Sequence, residues 1–304
     1  MVDLSVHIGT LKLKNPVLVA SGTFGYGQES QELVNLNALG GIVTKSISLK
    51  PRDGNPPPRI VELPAGMLNS IGLANVGVER FLDEKLPFLS SLKTSIIVNI
   101  AGSTAEEFLR VVQRMEDAEG IDGYELNFSC PNVKEGGLEF SQRSQVTAKV
   151  TEMIRNATAR PLIIKLTPNV TEIGEIAKAA EEAGADAVSL INTLVGLSVD
   201  IDSRRPRINT VTGGYSGPAI KPVALAKVYE VANCVNIPII GIGGIMNGQD
   251  ALEFMITGAC AVQVGTANFI DPSIGEKIIA EIFQYCEKWG IKKIDELVGT
   301  LKTS

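Results

Sequence analysis

The chain has 304 residues and a formal net charge of -6. That length suits one (β/α)8 barrel with insertions, and the acidic balance argues against nucleic acid as a partner. Aromatics make up only 5% of the chain while glycines number 30, a mix that fits buried parallel strands joined by tight turns.

VHIGTLKLK (6–14) alternates around Gly9 and Thr10 and reads as a hairpin capping one end of the domain. PVLVASGTFG (16–25) is a first strand ending at Ser21 and Gly22, and ESQELVNLNALG (29–40) reads as an amphipathic helix. GGIVTKS (40–46) is the second strand, ending at Lys45 and Ser46. Residues 49–75 are too rich in proline and glycine for a helix and too long for a plain connection. They read as an excursion over one face, with IVEL as a short strand and 69–73 as a loop returning to the centre.

Alternation resumes with SIIVNIAG (95–102), whose strand ends at Asn99, then a helix from 103 with Ser103 as N-cap and Glu106 completing a capping box. GYELNFSC (123–130) is strand four, followed by a helix over 143–159. PLIIKLTP (161–168) places Lys165 near the end of strand five, and 171–185 is its helix. DAVSLINTL (186–194) finishes at Asn192 and Thr193, before a second irregular excursion over 196–220 and a helix over 221–234. IPIIGIGGI (237–245), a helix over 249–259 and AVQVGTANF (261–269) complete the series, with a last amphipathic helix over 273–289. Eight alternations predict a single α/β domain over 1–304. Its fold is a closed (β/α)8 TIM barrel with an N-terminal hairpin and insertions after strands 2, 4 and 6. A doubly wound sheet is the alternative, but GIGGIMNG lacks the G-x-G-x-x-G spacing and comes late in the chain.

The reactive groups of such a barrel project from the C-terminal ends of its strands. Those ends carry Ser21, Lys45, Ser46, Asn99, Asn127, Cys130, Lys165, Asn192 and Thr193. Two lysines among aliphatic strands call for an anionic partner. Gly243, Gly244, Gly265 and Thr266, after strands seven and eight, suit a phosphate. Cys130 lies in NFSCPNVKEGG, where a strand gives way to a loop, flanked by Ser129 and Pro131. Such a thiol serves as a base or a nucleophile when it can lose its proton; an inert cysteine in a turn is the bland alternative. The other cysteines, Cys234, Cys260 and Cys286, are widely spaced, so no zinc or iron–sulfur ligand set is expected, nor any other metal site. His7 is the single histidine and sits in the hairpin, away from every strand end. That disfavours Cys–His or Ser–His catalysis and leaves proton abstraction by a thiol with an organic cofactor taking the electrons. No signal-peptide h-region and no bilayer-spanning run is present, so a reduced, cytoplasmic, membrane-free protein is expected.

VASGTFG, GGIVTKS, NSIGLAN, NFSCPNVKEGG, IIKLTPN, INT, GGYSGPAIKP, GIGGI and VQVGTANF together resemble the class 1 dihydroorotate dehydrogenases over essentially the whole chain. NFSCPN followed by VKEGG is most similar to the B-type catalytic subunit. The resemblance implies FMN in the barrel mouth and oxidation of dihydroorotate to orotate in pyrimidine synthesis. Cys130 would take the C5 proton as C6 gives hydride to the flavin. Lys45, Asn69, Ser70, Ile71, Gly72, Leu73, Asn127, Asn132, Asn192 and Thr193 would hold the substrate. Ser21, Lys45, Ser46, Asn99, Asn127, Lys165, Ile191 and Gly217 would contact the flavin, with Gly243, Gly244, Gly265 and Thr266 at its phosphate. It further implies a homodimer joined to an electron-transfer subunit carrying FAD and a [2Fe–2S] cluster, a heterotetramer passing electrons to NAD+. An A-type fumarate-using enzyme, a dihydropyrimidine dehydrogenase-like flavoenzyme and a non-redox phosphate-binding barrel are the competing readings.

Overall fold

The structure is a computed structural model that describes residues 2–128, 134–135, 138–139 and 143–303. Eight short parallel strands close into a barrel in chain order: β1 Val17–Val19, β2 Gly41–Val43, β3 Ser95–Ile100, β4 Gly123–Asn127, β5 Leu162–Lys165, β6 Ala187–Leu190, β7 Ile239–Ile242 and β8 Ala261–Val264. β8 returns to β1 with Val262 opposite Val17 and Val264 opposite Val19. Helices cover the outer face and side chains fill the inner one, so both faces of each strand are dry. That is why VLV, GIV, LIIK and AVSL are buried along their whole length. The principal helices are Ala105–Met115, Ser144–Arg155, Ile173–Glu182, Lys221–Ala232, Gly248–Thr257 and Ile274–Trp289. The last stops at Gly290, which adopts the left-handed conformation that ends helices.

The N-terminal hairpin, Val6–Ile8 paired with Leu11–Leu13, plugs the bottom of the barrel with Val6, Ile8 and Leu13 fully buried. Its turn needs Gly9: φ is 56°, and a Cβ there would lie 2.8 Å from the Asp186 carboxylate. Asp186 in turn accepts from the Leu162 N–H at 2.8 Å and from Arg155 at 2.7 Å, tying β5 and β6 together at their N-terminal ends. His7 is exposed in this hairpin, at the end of the barrel remote from the strand termini that carry chemistry.

Four local expectations are corrected. Residues 29–40 form no continuous helix, only two 3-10 turns, Gln28–Ser30 and Leu36–Ala38. Val34, Leu36 and Leu39 are buried while Leu33 is exposed, so the apolar positions do not form one helical stripe. The Asn35 N–H is taken by Glu276 and the Asn37 amide oxygen by the Lys93 N–H, which competes with helical bonding. The helix expected to be capped by Ser103 and Glu106 is capped one residue later. Thr104 accepts from the Glu107 N–H, and Glu107 reaches back to the Ser103 N–H. Strand eight ends at Val264, and 267–270 turn into a short helix. The fourth correction concerns the second excursion, which is not irregular but pairs with the first, where IVEL forms the strand expected of it.

From them come Ile60–Leu63, Gly66–Asn69, Leu194–Leu197 and Thr212–Ser216, an antiparallel sheet in the order 194–197, 212–216, 66–69, 60–63. Leu194 faces Tyr215, Tyr215 faces Leu68 and Leu68 faces Val61 across it. This sheet roofs the C-terminal mouth of the barrel. A further helical stretch, Val78–Arg80, Phe81–Lys85 and Leu86–Ser90, follows the first excursion and buries Val78, Phe81, Leu86 and Leu89 against the barrel. Among the described residues, no helix is long and apolar enough to cross a membrane.

Candidate active site

Between the strand ends and the roofing sheet lies a cavity of about 910 Å³. Its wall contains Ser21, Lys45 and Ser46 from the first two strand ends, and Asn127 and Lys165 from β4 and β5. Ile191, Asn192 and Thr193 follow β6, and Gly243, Gly244, Gly265 and Thr266 follow β7 and β8. Asn69, Ser70, Ile71, Gly72 and Leu73 come down from the roof, with Gly217 at its far edge. Cys130 and Asn132 lie outside the described residues.

Lys165 forms the floor. Its neighbours on the adjoining strands are Asn127 and Ser189. Its ammonium donates to Ser21 Oγ at 3.3 Å and stands 3.7 Å from a carboxylate oxygen of Glu125, which is wholly buried. Ser46 sends its hydroxyl into the wall, donating to Asn99 Oδ1 at 2.5 Å, and Asn99 Nδ2 donates to Glu125 at 2.6 Å. Asn99 is therefore fully buried behind Ser46 rather than on the cavity wall.

Lys45 is half-buried. Loss of solvent, and secondarily the Arg59 guanidinium, hold its ammonium below the ordinary lysine range, while Glu29 works the other way. An anion entering beside it would restore the balance. The amides are held in fixed orientations, as shape-specific binding requires. Asn192 donates to Asn127 Oδ1 at 3.4 Å and accepts from the Thr193 N–H at 2.8 Å; Asn69 donates to the Gly214 carbonyl at 3.2 Å. Asn55 fastens the 69–73 loop from above, its own N–H bonding the Ile71 carbonyl and its side chain the Ser70 carbonyl. Gly214 lets the roof approach: a Cβ there would lie 2.1 Å from Thr193 Oγ1.

The phosphate end combines two kinds of glycine. Gly243 and Gly244 have φ of 129° and 72°, and a Cβ on either would run into Ala224 or Lys221, so packing of helix Lys221–Ala232 alone demands them. Gly265 differs. A Cβ there would have its nearest neighbours at 3.8 and 3.9 Å, on Ala20 and Thr23, both on the cavity wall. The fold tolerates a side chain at 265 and leaves that space open. Beside it, Thr266 donates its hydroxyl to Ser216 Oγ at 2.9 Å. Bare backbone, small hydroxyls and an open rim are the donor chemistry a phosphate monoester takes.

Sequence reasoning missed Glu125, Ser189 and Gln263 inside the barrel, and Asn55, Asn169 and Ser216 around the cavity. A signal existed for the first three. Each is a polar residue within an otherwise aliphatic strand, and Glu125 stands two positions before Asn127, on the same side of β4. Of the remaining cysteines, Cys286 is buried in the core and Cys234 is exposed, while burial pushes the Cys260 thiol up to about 12.

The architecture defines a (β/α)8 barrel whose ligand site is framed by two lysines, a set of amides and a glycine-bearing edge at the C-terminal mouth. Comparison with known proteins agrees. The dihydroorotate dehydrogenase family model matches residues 3–285. The chain is 54% identical to the dihydroorotate dehydrogenase B (NAD(+)) catalytic subunit of Geobacter metallireducens, covering 99% of this chain and 98% of that one. It is 50% identical to the protein of the same name from Bacteroides thetaiotaomicron, covering 99% and 100%. A crystal structure of DHODH in complex with ferulenol from Eimeria tenella shares the fold, with a TM-score of 0.81 at 24% identity over 98% of this chain and 88% of that one. The chain belongs to the dihydroorotate dehydrogenase family, whose members are flavin-dependent oxidoreductases.

Proposed function

We propose that the chain, as one domain over 1–304, is the catalytic subunit of a B-type enzyme. It would oxidise dihydroorotate to orotate in the cytoplasm and deliver the electrons to NAD+ through a second subunit. The observation that carries this reading is the convergence of Lys45, Lys165, Asn69, Asn127 and Asn192 on one cavity edged by Gly265 and Thr266. The 50–54% identity to NAD(+)-named catalytic subunits supports the choice of acceptor.

FMN fits the residues present: Gly243, Gly244, Gly265 and Thr266 would hold its phosphate, Ser21, Ser46, Lys165, Ile191 and Gly217 would hold its ring, and Asn99 would act from behind Ser46. When bound, the flavin supplies a two-electron acceptor for the hydride leaving C6 of the substrate. Lys45 holds the substrate carboxylate. Asn69, Asn127, Asn132, Asn192 and Thr193, with the 69–73 loop, match the alternating N–H and C=O groups of the pyrimidine ring, since an amide offers both a donor and an acceptor. Cys130 removes the C5 proton, so that one proton and one hydride leave together and orotate remains. Lys165, on the cavity wall, would stabilise the negative charge that accompanies reduction.

The second subunit would carry FAD and a [2Fe–2S] cluster, and a homodimer of this chain with two such subunits makes the heterotetramer. The test is reconstitution. Dihydroorotate-dependent NAD+ reduction should need both proteins, while the chain alone should not reduce fumarate. Rapid fumarate reduction by the chain alone would move it to the A-type reading.

A further inference from the structure

The interior of a (β/α)8 barrel is usually packed with branched aliphatic side chains in layers. Here one level is polar. The carboxylate of Glu125 accepts from Asn99 Nδ2 at 2.6 Å on one oxygen, and from Ser189 Oγ at 2.8 Å and Gln263 Nε2 at 2.5 Å on the other. These donors come from β3, β6 and β8, so the group lies on the barrel axis rather than between two strands. Glu125, Asn99, Ser189 and Gln263 are all fully buried. The oxygen bonded to Asn99 is also the one 3.7 Å from the Lys165 ammonium.

Burying a carboxylate and an ammonium is expensive even when they pair, and an apolar replacement of similar volume is often as stable or more so. A carboxylate buried under a cavity and held by three donors therefore calls for a role beyond stability. The spacing indicates which. At 3.7 Å the charges attract strongly in a dry interior but form no short bond, since charge-assisted contacts close to about 2.7–2.9 Å. The ammonium is held from below by charge and from the side by Ser21, and it remains on the cavity wall. Three donors fixed on three strands prevent the carboxylate from rotating toward Lys165 or away from it.

We infer that Glu125 is a positioning residue for Lys165: the carboxylate on the barrel axis, fixed by three donors, anchors the ammonium at the cavity floor, where it faces the negative charge that develops during reduction. The Ser46–Asn99–Glu125 relay makes the wall beside the flavin part of the same unit. The inference rests on the flavin reading of the cavity proposed above and adds to it a residue that touches neither substrate nor cofactor.

The sign of a potential shift tests it. Plain electrostatics says that removing a buried negative charge near a flavin raises its midpoint potential. Losing the position of Lys165 lowers it, because the charge of reduction is then less stabilised. The midpoint potential and the apoprotein's affinity for FMN, by fluorescence quenching, are measured for the wild type, Glu125→Gln, Lys165→Met and the double variant. Glu125→Gln should lower the potential toward that of Lys165→Met and weaken FMN binding about 10-fold; once Lys165 is Met, it should change affinity by less than about twofold. A potential at or above the wild-type value, or additive effects in the double variant, overturns the inference. Glu125→Asp keeps the charge but withdraws it by one methylene, should give the same downward sign, and decides the matter if the Gln variant does not fold. A wild-type chain that takes up no FMN would instead overturn the reading of the cavity, and the role of Glu125 with it.

Discussion

Lys165 stands on β5, between the strands that precede and follow it in the chain. Asn69, on the opposite side of the same cavity, stands on a strand whose partner residue Gly214 is 145 positions away. The floor of the site is thus built from consecutive strand–helix units. Its side chains are fixed by an axial polar network and by dense aliphatic packing. The roof is assembled from two insertions that meet only when the barrel has brought them together. Its strands are partly exposed, with Val195 and Leu197 turned to solvent. The difference suggests a division of labour. Groups that must hold one geometry, against a cofactor and against the substrate's carboxylate and ring alike, sit at the barrel strand ends, while the groups that close over the substrate, Asn69 and the 69–73 loop, hang from the peripheral sheet.

Substitutions on the two sides should therefore separate in what they damage. The largest effect is expected on the floor. Lys165→Ala should slow flavin reduction by dihydroorotate about 100-fold or more while changing orotate affinity less than about threefold, because the ammonium acts on charge that appears only during reaction. Rapid-mixing absorbance and orotate titration check it, and the opposite pattern would move Lys165 into substrate binding. Next comes the roof. Gly214→Val places its side chain against Thr193 Oγ1 and should weaken orotate about 10-fold or more through displacement of Thr193 and Asn69, with FMN content unchanged. Loss of FMN in that variant would erase the distinction between floor and roof.

A smaller effect is expected at Gly265, where the chain itself leaves room for a side chain. Gly265→Val should reduce FMN affinity about 10-fold with the melting temperature of the apoprotein shifted by no more than about 2 °C. A collapse in stability would mean that the glycine serves the fold rather than a phosphate. The smallest effect concerns pH. Burial lowers the Lys45 pKa, and a bound carboxylate favours its charged form, so binding takes up a proton once the ammonium has begun to titrate. Orotate affinity should accordingly be flat on the acidic side and fall as pH rises through that lowered value, earlier than an ordinary lysine near 10.4 would allow. Lys45→Met should bind more weakly and lose this dependence. A slope that survives the substitution assigns the titration elsewhere.

The two regions also differ in how far they can be read from residues alone. Each barrel strand is a short aliphatic run followed by a polar residue, a local pattern. Lys45, Asn127, Lys165 and Asn192 could be placed at one mouth without any contact being known. Glu125 and Gln263 were overlooked because they lie within the runs rather than at their ends, although an acidic residue inside GYELN is anomalous for a buried strand. Of the roof, IVEL reads as a strand and 69–73 as a loop over the centre, but the pairing of its strands is illegible for another reason. Its pairing spans two insertions, and glycines at 66, 213 and 214 that look like loop formers are there to permit close approach to Ser216, Asn69 and Thr193. Residues 29–40 mislead in the same way, since their alternating asparagines bond to distant groups that no helical period reveals.

The most direct measurement of the central claim is an anaerobic visible spectrum of the FMN-loaded chain before and after dihydroorotate is added, with orotate assayed in the same sample. The account predicts a flavin band that bleaches with one orotate formed per flavin, and a Cys130→Ser variant that bleaches about 100-fold more slowly near neutral pH and recovers partly as pH rises. A bound flavin that stays oxidised in excess dihydroorotate would contradict it.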